Sequence, residues 1–387
     1  MGIKNYKTNL INHFPEILVG RPKNIYYLCI DLNMILHQIC HKAKNKKVFE
    51  KLLINELNKT IRKFNPKFLA IFTDGQAILA KAHTQIKRRN KYLYHESSGI
   101  SPLNLTPGTP FMDFVDKVII KYLSDLKIGT YYSKSKECNE GEIKLFHWLK
   151  YQKEKKTVII GNDSDLVVLC LATFPLTNMC IYNNGECISI SILLNSLSKL
   201  VDHKFSLKYH PVRMDFVLLS LFQGNDYNNR ICNFNELLKS YDKLMLLKKG
   251  FLINKDGSLN LKLIKVLLEN INDNSQINCS KNDVKYFFEC INWNLNLYIG
   301  KSVNNFIPKS LNLNIASILK FFPKKINIIN KACNWIQEDA YLLLLMPIVG
   351  KKLLPNHLQK YMDDGSPIKD LFPDPCPKCI DFKKKNK

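Results

Sequence analysis

Seven carboxylates, Asp31, Asp74, Glu140, Glu142, Asp163, Asp165 and Asp226, stand at element ends or turn signals in a chain whose formal net charge is +24. Acids gathered in one place are tolerated when divalent cations neutralise them. Such cations also generate hydroxide near neutral pH and stabilise charge on attacking and leaving oxygens. A basic bulk around an acidic cluster therefore suits hydrolysis of a polyanion, and the residues predict phosphodiester cleavage by two Mg²⁺ ions about 4 Å apart. Mg²⁺ prefers oxygen ligands and keeps several waters, so carboxylates drawn from separate elements serve it better than a closed cage.

A basic element accompanies the acids. After Asp74-Gly75, the stretch from Ala77 to Tyr92 contains neither Gly nor Pro and carries Lys81, Gln85, Arg88 and Arg89. At 100° per residue these four fall within an arc of about 100° on one helix face. Arg offers a fork to phosphate oxygens, Lys a point charge and Gln a neutral donor. Lys87 and Lys91 lie nearby without that placement. A solvated face is the plainer alternative; beside a metal site, the stripe would hold a terminal phosphate while the next bond enters the acids.

Three short apolar runs must position these groups. Ile25 to Ile30 leads into Asp31, Phe68 to Thr73 into Asp74, and Thr157 to Ile160 into the turn Gly161-Asn162-Asp163-Ser164-Asp165. Their β-branched and aromatic content predicts buried strands, and the longer segments between them predict helices. The expected class is α/β, with a mainly parallel central sheet, helices on both faces and ligands beyond the carboxyl ends of the strands. A lone aspartate after a strand is ordinarily a helix N-cap; three in succession point further. Glu140 and Glu142 flank Gly141 before the amphipathic run Ile143 to Leu149, which places them at a frayed first turn. Asp163 and Asp165 reach the same site if the backbone between them stays extended. Asp226 sits in the turn Gly224-Asn225-Asp226, after the apolar helix Phe216 to Phe222. Residues 1–231 are expected to form the nuclease core and 232–387 a mostly helical part, with helical spacing at Asn260 to Asn270, Asn282 to Asn296 and Glu338 to Met346.

Composition bounds the rest. Lys+Arg at 57 against Asp+Glu at 33 favours nucleic acid as partner over an acidic small molecule. Twelve cysteines without a regular framework, and no N-terminal apolar region before a cleavage site, indicate reduced thiols in an intracellular protein; the expectation is a soluble protein, cytoplasmic rather than nuclear. The run Tyr341 to Val349 is too short to span a bilayer and contains Pro347. His37, Cys40 and His41 lack a fourth ligand for a transition metal, and Cys376 and Cys379 lack a second pair. Lys383 to Lys387 reads as a solvated tail.

The order of these motifs resembles the XRN 5′→3′ exoribonucleases, within the flap-endonuclease and PIN-like superfamily, over almost the whole chain. MGIKNYKTNLINHFPEIL is similar to that family's start, and YLCIDLNMILHQICH to its first acidic motif, with Asp31. DGQAILAKAHTQIKRRN resembles its segment for a 5′-monophosphate, matching Lys81, Gln85, Arg88 and Arg89. LTPGTPFM, NEGEIK, GNDSDLVVL and DFVLLSLFQGND follow in order, and LLLLMPIVGKKLLPNHLQKYMDDGSPIKDLFP resembles a stretch of the XRN enzymes rather than of flap endonucleases. The chain departs from the pattern at Cys138-Asn139, where the family has Pro-Gly, at Ile143, and at Tyr227-Asn228-Asn229-Arg230. It is also far shorter than cellular members; its Asn and Lys bias would suit an AT-rich viral genome.

The resemblance implies a hydrolase that removes 5′ nucleotides one at a time from single-stranded, 5′-monophosphorylated RNA, releasing nucleoside 5′-monophosphates. It implies two Mg²⁺, with Mn²⁺ able to substitute, held by the seven carboxylates. His37 matches the position that stacks on a substrate base. The alternatives are a flap endonuclease or 5′ exonuclease acting on DNA, and an inert RNA-binding protein.

Overall fold

The computed structural model describes residues 2–94, 99–199, 211–247, 250–273, 275–301, 303, 306–309, 311–326, 335–372 and 374. Cys376, Cys379 and the Lys383 to Lys387 tail lie outside them. The chain divides into two units that interleave in sequence: Met1–Tyr27 with Phe146–Asn334, and Leu28–Leu145 with Trp335–Lys387.

The strands are β1 (Leu18–Val19), β2 (Tyr27–Asp31), β3 (Phe68–Phe72), β4 (Gly129–Ser133), β5 (Thr157–Ile160), β6 (Met179–Asn183) and β7 (Glu186–Ser189). In the first unit they run in the order β1-β7-β6-β5, with β5 parallel to β6 and β7 antiparallel to both its neighbours. The second unit holds the order β2-β3-β4, with β3 parallel to β4 from Phe68 opposite Gly129 to Phe72 opposite Ser133. The fold is α/β, mixed and mostly parallel, as the alternation of apolar runs with longer segments predicted. β5 is buried at every position and β2 and β3 at all but one, so each reads as a continuous apolar run rather than an alternating one.

Helices close the connections. Lys46–Phe64 is capped by Asn45, whose side chain accepts from Val48 N, and it ends at Asn65 with φ 43. From Phe234 onward the described elements are helical apart from a single bridge between Ile253 and Leu259. The helices Leu261–Glu269, Lys281–Tyr298 and Glu338–Leu345 fall where apolar spacing placed them, with Lys281–Tyr298 running two residues further than that spacing showed.

In the first unit, Arg213 is 2% exposed and donates from Nε to Leu171 O (2.9 Å) and from Nη2 to Cys170 O (2.8 Å). It thereby satisfies two carbonyls at the end of helix Asp165–Ala172, and a cation there also suits the negative end of the helix dipole. In the second unit the segment from Trp335 returns to the chain's first third. Tyr341 and Leu345 pack with Ala77 and Ala82, while Leu342, Met346, Leu354 and Leu358 pack with Leu103.

One buried acid gives the first unit a measurable pH response. Asp215 is fully buried and accepts from Tyr241 Oη (2.9 Å) and Ile253 N (3.1 Å). Burial nevertheless outweighs those bonds and raises its pKa from 3.8 to about 7. A folded pKa above the unfolded one means that the folded state binds the extra proton between those values. Asp215 therefore contributes stability that is full below pH 3.8 and is lost as pH rises through about 7. Asp215→Asn should remove that loss. The melting temperatures of variant and parent should draw apart between pH 4 and pH 7, the parent falling relative to the variant by a stability difference on the order of 4 kcal/mol at most. Parallel melting curves across that window would contradict the assignment.

Candidate active site

Asp31 closes β2 and caps helix Leu32–Cys40, its Oδ1 accepting from Asn33 N at 3.3 Å. The N-cap reading is thus true of it without exhausting its role. Asn33 Oδ1 in turn accepts from Asp74 N at 3.4 Å, so one asparagine ties the two aspartates together. Asp74 Oδ1 accepts from Gly141 N at 2.6 Å. A Cβ placed on Gly141 would stand 3.2 Å from Asp31 Oδ1 and 3.3 Å from Asp74 Oδ1, so both oxygens converge on that residue. Gly141 begins helix Gly141–Leu149, with Glu140 just before it and Glu142 in its first turn. Four acids therefore gather around one helix N-terminus, where unpaired N–H groups and the helix dipole favour anions.

The loop leading there is locked to Asp74. Gly75 N donates to Asn139 O at 2.9 Å and Asn139 N to Gln76 O at 2.7 Å. A Cβ on Gly75 would fall 1.7 Å from Glu137 O, so only glycine permits this approach. Asn139 adopts φ 87, a left-handed conformation natural to glycine and tolerated by asparagine. The departure at Cys138-Asn139 is thereby accommodated.

The basic stripe lies on helix Leu79–Asn90 in the same unit. Lys81 and Gln85 are each 5% exposed and Arg88 and Arg89 half-buried, whereas Lys87 and Lys91 are exposed. This is not a solvated face. Lys81 Nζ lies 3.2 Å from Glu140 Oε2, joining stripe to acids. Arg89 donates from Nε to Thr106 Oγ1 (2.9 Å) and from Nη1 to Gln85 O (3.3 Å). Both partners are neutral, and desolvation lowers the Arg89 pKa, Tyr341 and Asp74 opposing that shift. His37 is exposed rather than packed in the core. Crowding by protein atoms still lowers its pKa, against Asp74 and with Arg89, His41 and Arg88.

The other three acids belong to the first unit. The backbone between Asp163 and Asp165 does not stay extended: Ser164 is helical (φ −66, ψ −23) and Asp165 opens helix Asp165–Ala172. The two still converge, because a Cβ on Gly2 would stand 2.2 Å from Asp163 Oδ1 and 2.3 Å from Asp165 Oδ1. Asp165 Oδ1 accepts from Ile3 N (2.9 Å) and Oδ2 from Tyr298 Oη (2.6 Å). Asp226 is half-buried in a turn built by Gly224, at φ 77, and Asn225, whose Oδ1 accepts from Tyr227 N and Asn228 N. Asn294 Nδ2 donates to Asn225 Oδ1 (3.2 Å) and Asn228 Oδ1 (2.9 Å), and Asn225 Nδ2 reaches Tyr298 Oη at 3.5 Å. Helix Lys281–Tyr298 thus holds both Asp165 and the turn carrying Asp226. Asn33, Asn294 and Tyr298 escaped sequence reasoning; the last two sit in a segment whose apolar spacing reads only as a helix.

Among the described residues no three His, Cys, Asp or Glu side chains form a ready metal cluster. The donors are nevertheless all carboxylate oxygens and converge in pairs, Asp31 with Asp74 and Asp163 with Asp165. That chemistry fits a hard divalent cation that keeps part of its water.

Residues 1–99 and 94–183 match the family described as XRN 5′-3′ exonuclease N-terminus. The 5′-3′ exoribonuclease 1 of Saccharomyces cerevisiae is 23% identical over 361 residues, covering 73% of this chain and 23% of that protein. That of Schizosaccharomyces pombe is 24% identical over 311 residues, 62% of this chain and 23% of its own length. The chain therefore spans about a quarter of the length of these relatives. Among solved structures, the catalytic core of Rad2 in complex with DNA substrate aligns with a TM-score of 0.42 at 13% identity, over 83% of this chain and 98% of that one. A bacteriophage T5 flap endonuclease aligns with a TM-score of 0.34 at 11% identity, over 64% and 87%. Taken with the motif order, the profile match over residues 1–183 and the yeast matches make this chain similar to the XRN 5′-3′ exonucleases.

Proposed function

We propose that the chain is a Mg²⁺-dependent 5′→3′ exoribonuclease that takes single-stranded RNA with a 5′-monophosphate and releases nucleoside 5′-monophosphates. The observation that supports this most is the cation stripe beside the acids within one unit: Lys81 is ion-paired with Glu140, and the half-buried Arg89 hydrogen-bonds, among the described residues, to the neutral Thr106 hydroxyl and the Gln85 carbonyl. A partly desolvated guanidinium favours an incoming anion. The direction of attack and the RNA substrate are those in the names of the yeast relatives.

In this reading Lys81, Gln85, Arg88 and Arg89 take the terminal phosphate and set the register of the strand. The exposed His37 ring stacks on a base, a contact that tolerates any sequence. Asp31, Asp74, Glu140, Glu142, Asp163, Asp165 and Asp226 are the proposed holders of two divalent cations, Mg²⁺ foremost. Bound there, the cations would supply hydroxide near neutral pH and offset charge on the attacking and leaving oxygens. Gly141 N–H and Asn33 keep Asp74 and Asp31 oriented.

The direct test is end-labelled RNA carrying 5′-monophosphate, 5′-triphosphate or 5′-hydroxyl, with a matched DNA, in Mg²⁺ or EDTA. Mononucleotides from the monophosphate end, in Mg²⁺ only, are expected; internal fragments would overturn the exonuclease reading. Asp163→Ala should reduce Mg²⁺-dependent cleavage by roughly two orders of magnitude or more while RNA binding in EDTA persists. Full activity in that variant would remove Asp163 from the metal site. Arg88→Ala should cut the preference for a 5′-monophosphate by about tenfold or more, read as the ratio of kcat/KM between monophosphate and hydroxyl ends.

A further inference from the structure

Tyr341 is 1% exposed and lies on helix Glu338–Leu345, in the segment that returns to the second unit from the far end of the sequence. Its hydroxyl meets two groups. Ala77 N lies 3.1 Å away and Gln85 Oε1 2.8 Å away. A backbone N–H can only donate, so the hydroxyl oxygen is the acceptor of that bond and its one proton is left to donate. The group that receives the proton must be an acceptor. In this structure Gln85 offers its amide oxygen, so the amide faces Tyr341 with Oε1. The NH₂ of Gln85 is then turned from Tyr341 and has no protein partner among the described residues, although the residue is only 5% exposed.

An amide donor that reaches solvent from an otherwise buried side chain, on a helix face shared with Lys81, Arg88 and Arg89, can take an acceptor from outside the protein. We infer that Tyr341 is a positioning residue for end selection: it holds the Gln85 amide with its donor towards the 5′-phosphate. This rests on the proposed 5′-phosphate reading and deepens it. The same docking is reinforced by Gln76 Nε2, which donates to Ile336 O at 2.8 Å, and by the packing of Tyr341 and Leu345 on Ala77 and Ala82. Without the tyrosine hydroxyl no hydrogen bond among the described residues fixes the amide, and a flipped amide would turn its oxygen against the phosphate. Tyr341 touches no substrate in this arrangement; it acts through Gln85.

The test is a double-mutant cycle between Tyr341→Phe and Gln85→Leu. Affinity for fluorescent 5′-monophosphate and 5′-hydroxyl RNA of one sequence is measured by anisotropy in EDTA, and cleavage of both in Mg²⁺. Tyr341→Phe should lower the preference for the phosphorylated end by about tenfold, with the change in KM rather than kcat, and should add nothing in the Gln85→Leu background. Equal losses for both RNA ends, or an undiminished effect in the Gln85→Leu background, would overturn the role of Tyr341 while an effect of Arg88→Ala left the pocket itself standing. A parent protein indifferent to the 5′ end would overturn both. Should Tyr341→Phe fail to fold because Ala77 N–H loses its acceptor, Gln85→Glu decides. It keeps an oxygen for the tyrosine and presents a second one to the phosphate, so the preference should vanish or invert; an unchanged preference would overturn the inference.

Discussion

Negative charges repel, and the second unit nevertheless brings four carboxylates to the start of one helix. What makes this possible is the unsatisfied N–H at Gly141, which donates to Asp74 at 2.6 Å, together with the helix dipole behind it and the Lys81 ammonium at Glu140. The neighbouring structure follows from that requirement. Position 141 favours a residue without a side chain, because a Cβ would crowd Asp31 and Asp74 unless they gave by a few tenths of an ångström. Position 75 must lack one, so that the loop before Glu140 can close on the strand end carrying Asp74. The first unit meets the same repulsion differently. Asp165 is held by a backbone N–H from Ile3 and a hydroxyl from Tyr298, and Asp163 meets it across the bare Cα of Gly2.

Neutral groups do most of the orienting. Asn33 links Asp31 to Asp74, Asn294 braces the turn around Asp226, and Tyr298 joins that turn to Asp165. Amides and hydroxyls can fix the direction of an acid without themselves carrying a neutralising charge. Arg89 of the stripe is held in the same way: among the described residues its hydrogen bonds go to the neutral Thr106 hydroxyl and the Gln85 carbonyl.

The parts of this arrangement written in local sequence were legible. β2, β3 and β5 are buried runs ending at acids, and the helix carrying Lys81, Gln85, Arg88 and Arg89 is uninterrupted by Gly or Pro, so strand ends and helix face followed from pattern alone. β4 escaped because its residues GTYYS are mostly exposed or half-buried and do not read as an apolar run. The β6–β7 hairpin escaped although Asn184-Gly185, with φ of 49 and 96, is the turn such a hairpin favours. Orientation within the site was not legible. The spacing of Asp163 and Asp165 suggested an extended backbone, and a turn at Ser164 achieves the convergence instead. Asn33, Asn294, Tyr298 and Tyr341 act across long stretches of sequence, where neither periodicity nor composition carries a signal.

The return of the Tyr341 segment also has a temporal side. Its bonds to Ala77 and Gln85 bridge 264 and 256 positions of chain, among the most distant contacts of the fold. Contacts of such separation form late, since the entropy of closing the loop must be overcome before they contribute. During synthesis every acid of the site leaves the ribosome before Tyr341 does. In the proposed reading, a nascent chain would have its acids in hand while Gln85 was still free to turn, and selectivity for an RNA end would be the last property of the site to mature.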